Sequence, residues 1–200
     1  FRRFVVAPIV IGLMAAIALA STADPAEARK RRGSYAPPYA SIVVDVNSGR
    51  VLQAANADSP RFPASITKVM TLYMLFEQLE RGKVRLDTAL PVSAFAARQA
   101  PSKIGFDPGE TIEVEDAIKA LVTKSANDVA VVVAEAIGGD QDTFALMMTR
   151  KARALGMHNT TFRNASGLPD PQQVTTARDL TVLGRAIHDH YPKYWRYFQA

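Results

Sequence analysis

Ser65-Ile66-Thr67-Lys68 sets a hydroxyl and an amine three residues apart, and residues so spaced share one face of a helix. A serine alcohol is a weak nucleophile until a base takes its proton. Lysine serves as that base only when its amine is partly neutral, a state favoured by burial or by a neighbouring cation. Such a pair works without histidine or metal. Ser125-Ala126-Asn127 adds a second hydroxyl and an amide, groups that relay a proton and hold a polar ligand. One Ser-x-x-Lys is expected by chance in roughly 200 residues, so that spacing alone is weak. Here each motif occurs once, Ser-x-x-Lys first and Ser-x-Asn second. The competing readings are a helix cap for Ser65, a solvated amine for Lys68, and ordinary break residues for Ser125 and Asn127.

The elements that must position these groups are legible in the hydrophobic pattern. A long helix is predicted from about Ser65 to Arg81, apolar nearly all round and therefore buried, ending at the cation and glycine of Arg81-Gly82-Lys83. Lys68 stands one turn into it, so Ile66, Met70 and Leu72 are expected to surround its amine and disfavour charge. The helix start is expected to offer free N–H groups to an oxyanion. Upstream, Ile42, Val43, Val44 and Val46 form a β-rich run, Asn47-Ser48-Gly49 a turn, and Val51-Leu52 a return strand, which together predict a hairpin. Residues 88–112 hold three prolines and read as loop with short elements. Further helices are predicted over 114–123, 128–137, 143–155 and 176–188, with a break at 124–127 and an irregular stretch at 164–173. Asp128 is expected to cap the helix after the break. Two strands make a poor sheet alone, so the pattern predicts an α+β domain whose remaining strands lie beyond Ala200.

Composition narrows the function classes. Without cysteine the chain has no disulfide, thiolate metal site or cysteine nucleophile. His158, His188 and His190 lack metal-site spacing and read as surface or interface residues, so no metal is expected. The net charge of +5 owes much to Arg29-Lys30-Arg31-Arg32, and no basic helix interleaved with aromatics suggests nucleic acid. An anionic polymer or membrane surface fits that charge equally well. Arg2 and Arg3 followed by the uncharged run Phe4–Ala20 and small residues up to Ala28 read as a secretory signal peptide over residues 1–28, with a retained anchor as the alternative. A basic, Pro-containing linker over residues 29–40 and a folded domain over 41–200 follow.

From Tyr39 to Phe198 the chain resembles the D-alanyl-D-alanine carboxypeptidases, low-molecular-mass penicillin-binding proteins of the serine β-lactamase-like superfamily. The resemblance rests on Ala40–Asp45, Pro63-Ala64-Ser65-Ile66-Thr67-Lys68, Thr123–Asp128 and Phe162-Arg163-Asn164-Ala165-Ser166-Gly167-Leu168. It implies a β-lactamase/transpeptidase-like fold with an N-terminal hairpin and a helical subdomain. It implies Ser65 as the acylated nucleophile, Lys68 as its general base, Ser125 as the proton donor to departing D-alanine, and Asn127 as the holder of the substrate peptide group. Peptidoglycan stem peptides would be substrates, β-lactam antibiotics covalent inhibitors, the periplasm the compartment, and no cofactor is implied. The family's Lys-Thr-Gly strand does not occur within these residues. Two further readings keep the fold: a β-lactamase, and a non-catalytic wall-binding module. Against the lactamase, the stretch between Leu155 and Leu180 holds Asp170 and Asp179 but no glutamate to activate a deacylating water.

Overall fold

A computed structural model describes residues 38–199. The expected signal peptide, and the expected linker up to residue 37, lie outside the described residues. The described fold is α+β.

Strands β1 (Ser41–Val44) and β2 (Val51–Ala55) form the expected antiparallel hairpin, with Ser41 opposite Ala55 and a bulge between Val43 and Val44. Its turn is held by Asp45, whose carboxylate accepts from the Ser48 N–H and hydroxyl, and by Gly49 at φ +74°. The stretch read as loop contains a second antiparallel pair, β3 (Ala89–Pro91) and β4 (Thr111–Glu113), with helix α2 (Ala94–Ala97) between them. Three-residue strands, one of them ending in proline, are too short to show a two-residue period, which is why the sequence did not separate them from loop.

The predicted long helix begins as a 3-10 turn over Ala64–Ile66 and continues as α1 (Thr67–Glu80). Its residues from Met70 to Phe76 are all buried, as the all-round apolar pattern required. Helix α3 (Val114–Lys119) widens at its end into a π turn over Ala120–Lys124. Then come α4 (Asn127–Gly138), α5 (Gln141–Leu155) and α6 (Ala177–His190). Helix α4 is the centre of the core. Val129, Val131, Val132 and Val133 are at most 1% exposed. Valine costs a helix roughly 0.5–0.7 kcal/mol per residue relative to alanine, whereas burying it returns about 1.5 kcal/mol or more. Burial therefore decides, and α4 holds as a helix because α1 and α5 pack around it. Asp140 and Thr176 cap α5 and α6 by accepting from the N–H groups of Thr143 and Asp179. A 3-10 stretch over Pro192–Gln199, absent from the sequence reading, lies on α1 through Phe76, whose ring stacks on Tyr194 at 4.7 Å.

Candidate active site

Lys68 is 2% exposed. Its Nζ donates to Asn127 Oδ1 at 2.8 Å and to the Ser166 carbonyl at 2.6 Å. Burial depresses its pKa from 10.5 to about 8. The expectation of a depressed amine therefore stands, but its surroundings differ from those read in the sequence. Ile66 is 52% exposed and points away from the core, and the partners of the amine are two neutral oxygens. Among the described residues no carboxylate pairs with Lys68.

That partner set suits a neutral amine. An uncharged –NH2 has two N–H bonds and one lone pair, and two acceptors leave the lone pair free for a proton. An ammonium would carry a third N–H with no acceptor among the described residues, in a site that already penalises charge.

Ser65 lies exposed within the 3-10 turn, one turn of helix before Lys68. It caps nothing: Pro63 and Ile66 are the cap positions, and neither cap uses a side chain. Its hydroxyl has no hydrogen-bond partner among the described residues, so it is not yet bonded to Lys68. Contacts of this kind often tighten only once substrate is bound. The free N–H groups expected at the helix start are reduced in number. Ile66 N–H donates to Pro63 and Thr67 N–H to Ala64, leaving the Ser65 N–H without a backbone acceptor among the described residues.

Ser125 follows the π turn, whose widened ring closes from Ser125 N–H to the Ala120 carbonyl. Its own backbone is left-handed, at φ +56°, and it is only partly exposed. Like Ser65, it has no side-chain partner among the described residues. Asn127 is oriented from both ends. Its Nδ2 donates to the Ala100 carbonyl at 2.8 Å, which turns Oδ1 toward Lys68. Its N–H donates to the Ser102 carbonyl at 2.8 Å. The break motif thus meets the helix motif across 59 residues of chain, while Ser65 and Ser125 contribute unpartnered hydroxyls.

Asp128 does not cap α4, contrary to expectation. The cap position is Ala126, and the fully buried Asp128 carboxylate, although it takes the first-turn N–H of Val129 at 2.9 Å, also accepts from the N–H groups of Ile104 and Gly105 at 3.1 and 2.9 Å. It pins the loop whose Ala100 and Ser102 carbonyls hold Asn127. Lys124 is exposed and its carbonyl accepts from Ser102 Oγ at 2.9 Å; Lys103 Nζ donates to the Ala97 carbonyl. His190 Nδ1 lies 3.0 Å from the Tyr73 hydroxyl and His188 pairs with Asp189, away from the site. No group of three or more potential metal ligands occurs among the described residues.

One wall entered the sequence reading only as an irregular stretch and a segment of the family resemblance, with no role in the site assigned to it. Besides the Ser166 carbonyl on Lys68, Thr71 Oγ1 donates to the Ala165 carbonyl at 2.8 Å, so α1 is fastened twice to the 164–168 loop. Asn164 shapes that loop, accepting from Gly167 N–H at 2.7 Å and donating to the Leu168 carbonyl at 2.9 Å. Gly167, at φ +88°, packs so closely that a Cβ there would fall on the Ala64 carbonyl. Ala64 is itself left-handed at φ +45°. A glycine three residues after an asparagine and directly after a serine was the available signal, although nothing local says which turn it touches.

A model of the D-alanyl-D-alanine carboxypeptidase family matches residues 35–199. The chain belongs to this family. It is 37% identical over 155 residues to D-alanyl-D-alanine carboxypeptidase DacC of Escherichia coli K12, covering 74% of this chain and 39% of that protein. It is 32% identical over 147 residues to DacF of Bacillus subtilis, covering 74% and 38%. Among solved structures, the D-alanyl-D-alanine carboxypeptidase DacD from Francisella tularensis superposes with a TM-score of 0.78 at 34% identity, covering 80% of this chain and 38% of that one. Penicillin-binding protein D2 from Listeria monocytogenes, in its ampicillin-bound form, gives 0.66 at 30% identity, covering 78% and 64%. The chain spans 38% and 39% of the length of these two carboxypeptidase relatives. As a family member it carries the expected α+β fold, represented by its hairpin and helical part.

Proposed function

We propose that the full-length protein is a serine D-Ala-D-Ala carboxypeptidase that removes the terminal D-alanine from peptidoglycan stem peptides. The observation that carries this is the buried Lys68 amine, depressed to about 8 and held by two neutral acceptors one helical turn from an exposed serine. Ser65 Oγ attacks the carbonyl carbon of the penultimate D-alanine and its proton passes to Lys68 Nζ. The oxyanion that forms takes a hydrogen bond from the Ser65 N–H. Collapse expels D-alanine, whose nitrogen receives a proton through Ser125 Oγ, and leaves an ester on Ser65. Asn127 holds the substrate's peptide group and keeps Lys68 in place. Water then hydrolyses the ester, releasing the shortened peptide and restoring the hydroxyl. β-Lactams would acylate the same oxygen.

The basic and apolar N-terminal stretch supports export across the cytoplasmic membrane, with a periplasmic site of action and the anionic membrane surface as neighbour. No helix among the described residues is long and apolar enough to cross a membrane. A β-lactamase finds less support, because Asp179 is buried and accepts from Asn159 N–H and Thr160 Oγ1, leaving it no role with water. The test is a labelled penicillin on the full-length protein. A stable adduct on Ser65, lost in Ser65→Ala together with D-alanine release, is expected. Rapid penicillin turnover would favour the lactamase, and release that survives Ser65→Ala would remove the serine mechanism.

A further inference from the structure

Three residues of the 164–168 loop meet α1 in strict order. The Ala165 carbonyl accepts from Thr71 Oγ1 at 2.8 Å, the Ser166 carbonyl accepts from Lys68 Nζ at 2.6 Å, and Gly167 packs against the Ala64 carbonyl. Positions 64, 68 and 71 form one stripe along α1 and the 3-10 turn before it. The loop therefore runs antiparallel along that stripe. From 68 to 71 a helix rises about 4.5 Å, and one residue of extended chain advances about 3.3 Å, so neighbouring loop residues reach successive stripe positions. Thr71, Ala165 and Ser166 are fully buried, so nothing laid on the outer surface comes between them.

The Thr71 hydroxyl points in an unusual direction. A threonine inside a helix ordinarily donates to the carbonyl four residues earlier, as Thr123 does to Lys119 and Thr149 to Ala145. Thr71 donates across to the loop instead. The shape of the loop is fixed from its other side. Gln173, 2% exposed, accepts from the N–H groups of Arg163 and Asn164, and Asn164 Oδ1 accepts from those of Ser166 and Gly167. Those bonds set the curve of the loop but not its place along α1. Gly167 sets how closely the loop approaches. Among the described residues, Thr71 is the one side-chain donor from α1, besides Lys68 itself, that fixes its height. A slip of one residue would put a different carbonyl, or none, over the amine. We propose that Thr71 is a positioning residue for the general base: by holding the Ala165 carbonyl it sets the register of the 164–168 loop on α1 and so aims the Ser166 carbonyl at Lys68 Nζ. With Asn127 Oδ1 as the other acceptor, both N–H bonds of the neutral amine have fixed directions, and with them the lone pair that takes the Ser65 proton. The inference rests on the reading of Lys68 as the base for Ser65 and deepens it.

The test uses the full-length protein, following acylation by a fluorescent penicillin against pH, and D-alanine release from a peptide ending in D-Ala-D-Ala. Thr71→Val keeps the side-chain shape and removes the donor. Its limiting acylation rate at high pH is expected to fall roughly five- to tenfold, about the worth of one neutral hydrogen bond, with kcat lowered and KM unchanged. Its pH midpoint is expected to move below the wild-type value of about 8, because the site stays dry and the ammonium has lost an acceptor. No charged neighbour offsets this: Asp128 turns to residues 104 and 105, and Lys103 to the Ala97 carbonyl. A site that was merely loosened would admit water and move the midpoint up toward 10.5. Thr71→Ser keeps the hydroxyl and is expected to melt lower while holding the wild-type rate and midpoint. Thr160→Val removes an equally buried hydroxyl bonded to Thr175 and Asp179, and is expected to melt lower with the midpoint unchanged. A wild-type rate and midpoint in Thr71→Val overturns the proposal, as does a midpoint that rises there or falls equally in Thr160→Val. So does a tenfold rate loss in Thr71→Ser, an arm that holds even where Thr71→Val fails to fold. Ser65→Ala separates the two layers: labelling that persists there fails the site reading itself, whereas Ser65-dependent labelling with Thr71→Val equal to wild type fails the positioning role alone.

Discussion

The depressed pKa of Lys68 makes a quantitative demand on the pH dependence of acylation. A lysine at 10.5 is neutral in about 0.03% of molecules at pH 7, whereas one at about 8 is neutral in roughly 9%, a gain near 300-fold in competent base. Burial supplies that gain, because the two partners of the amine are uncharged and burial is the cause of the shift. The acylation rate of the full-length protein by a fluorescent penicillin, measured at subsaturating concentration, should climb close to tenfold per pH unit below about 8 and level off above it. Lys68→Arg keeps a cation and its donors but cannot give up a proton, so acylation should fall by about 10²–10⁴ at every pH while circular dichroism remains that of the folded protein. A flat profile between about pH 6.5 and 9, or a midpoint near 10, would refute the argument that burial creates the base.

The same shift acts on stability. The folded lysine titrates near 8 and the unfolded one near 10.5, so unfolding takes up a proton between these values. Stability from this group is therefore complete above the unfolded pKa and is lost as pH falls through the folded one. Wild type should gain roughly 2 kcal/mol in urea denaturation between pH 7.5 and 9.5 relative to Lys68→Met, which lacks the titration. Gly167→Ala should cost at least about 2 kcal/mol and slow acylation, because it combines a strained φ with a collision at Ala64. Gly82→Ala, at φ +64° in open space, should cost about 1 kcal/mol and leave acylation alone, as thermal melts and penicillin labelling would show. Asp128→Ala removes the acceptor of three N–H groups, those of Ile104, Gly105 and Val129, and should cost about 3 kcal/mol, with faster proteolysis within the 100–105 loop.

The elements that carry the site were legible because their signals are local. The all-round apolar run after Pro63 located α1 and the valine run located α4, while Arg81-Gly82, Gly138-Gly139 and Gly156 marked the ends of α1, α4 and α5. The motif residues Lys68 and Asn127 were legible by type and spacing, and the structure joins them at 2.8 Å. What stayed hidden depends on contacts distant along the chain. The acceptor from Ser166 is a main-chain carbonyl 98 residues away, and any residue type has a carbonyl. Asp128 resembled a cap because a carboxylate at a helix start usually is one; only the fold brings residues 104 and 105 over it. Ile66 seemed part of the amine's apolar shell because the run is apolar nearly all round; two residues from Lys68, it lies on a different face and is 52% exposed.

Ala64 and Ser125 both hold a left-handed backbone that alanine and serine adopt unwillingly, and both stand at the candidate active site. A third such residue, Asn56, is of a type that tolerates the conformation. Thermostability and turnover therefore pull these two positions in opposite directions. A library of variants screened only for survival on heating should enrich glycine at 64 and 125, and Ser125→Gly would discard the hydroxyl along with the strain. Engineering this chain for robustness without scoring penicillin labelling would select a sturdier protein that has lost the Ser125 hydroxyl.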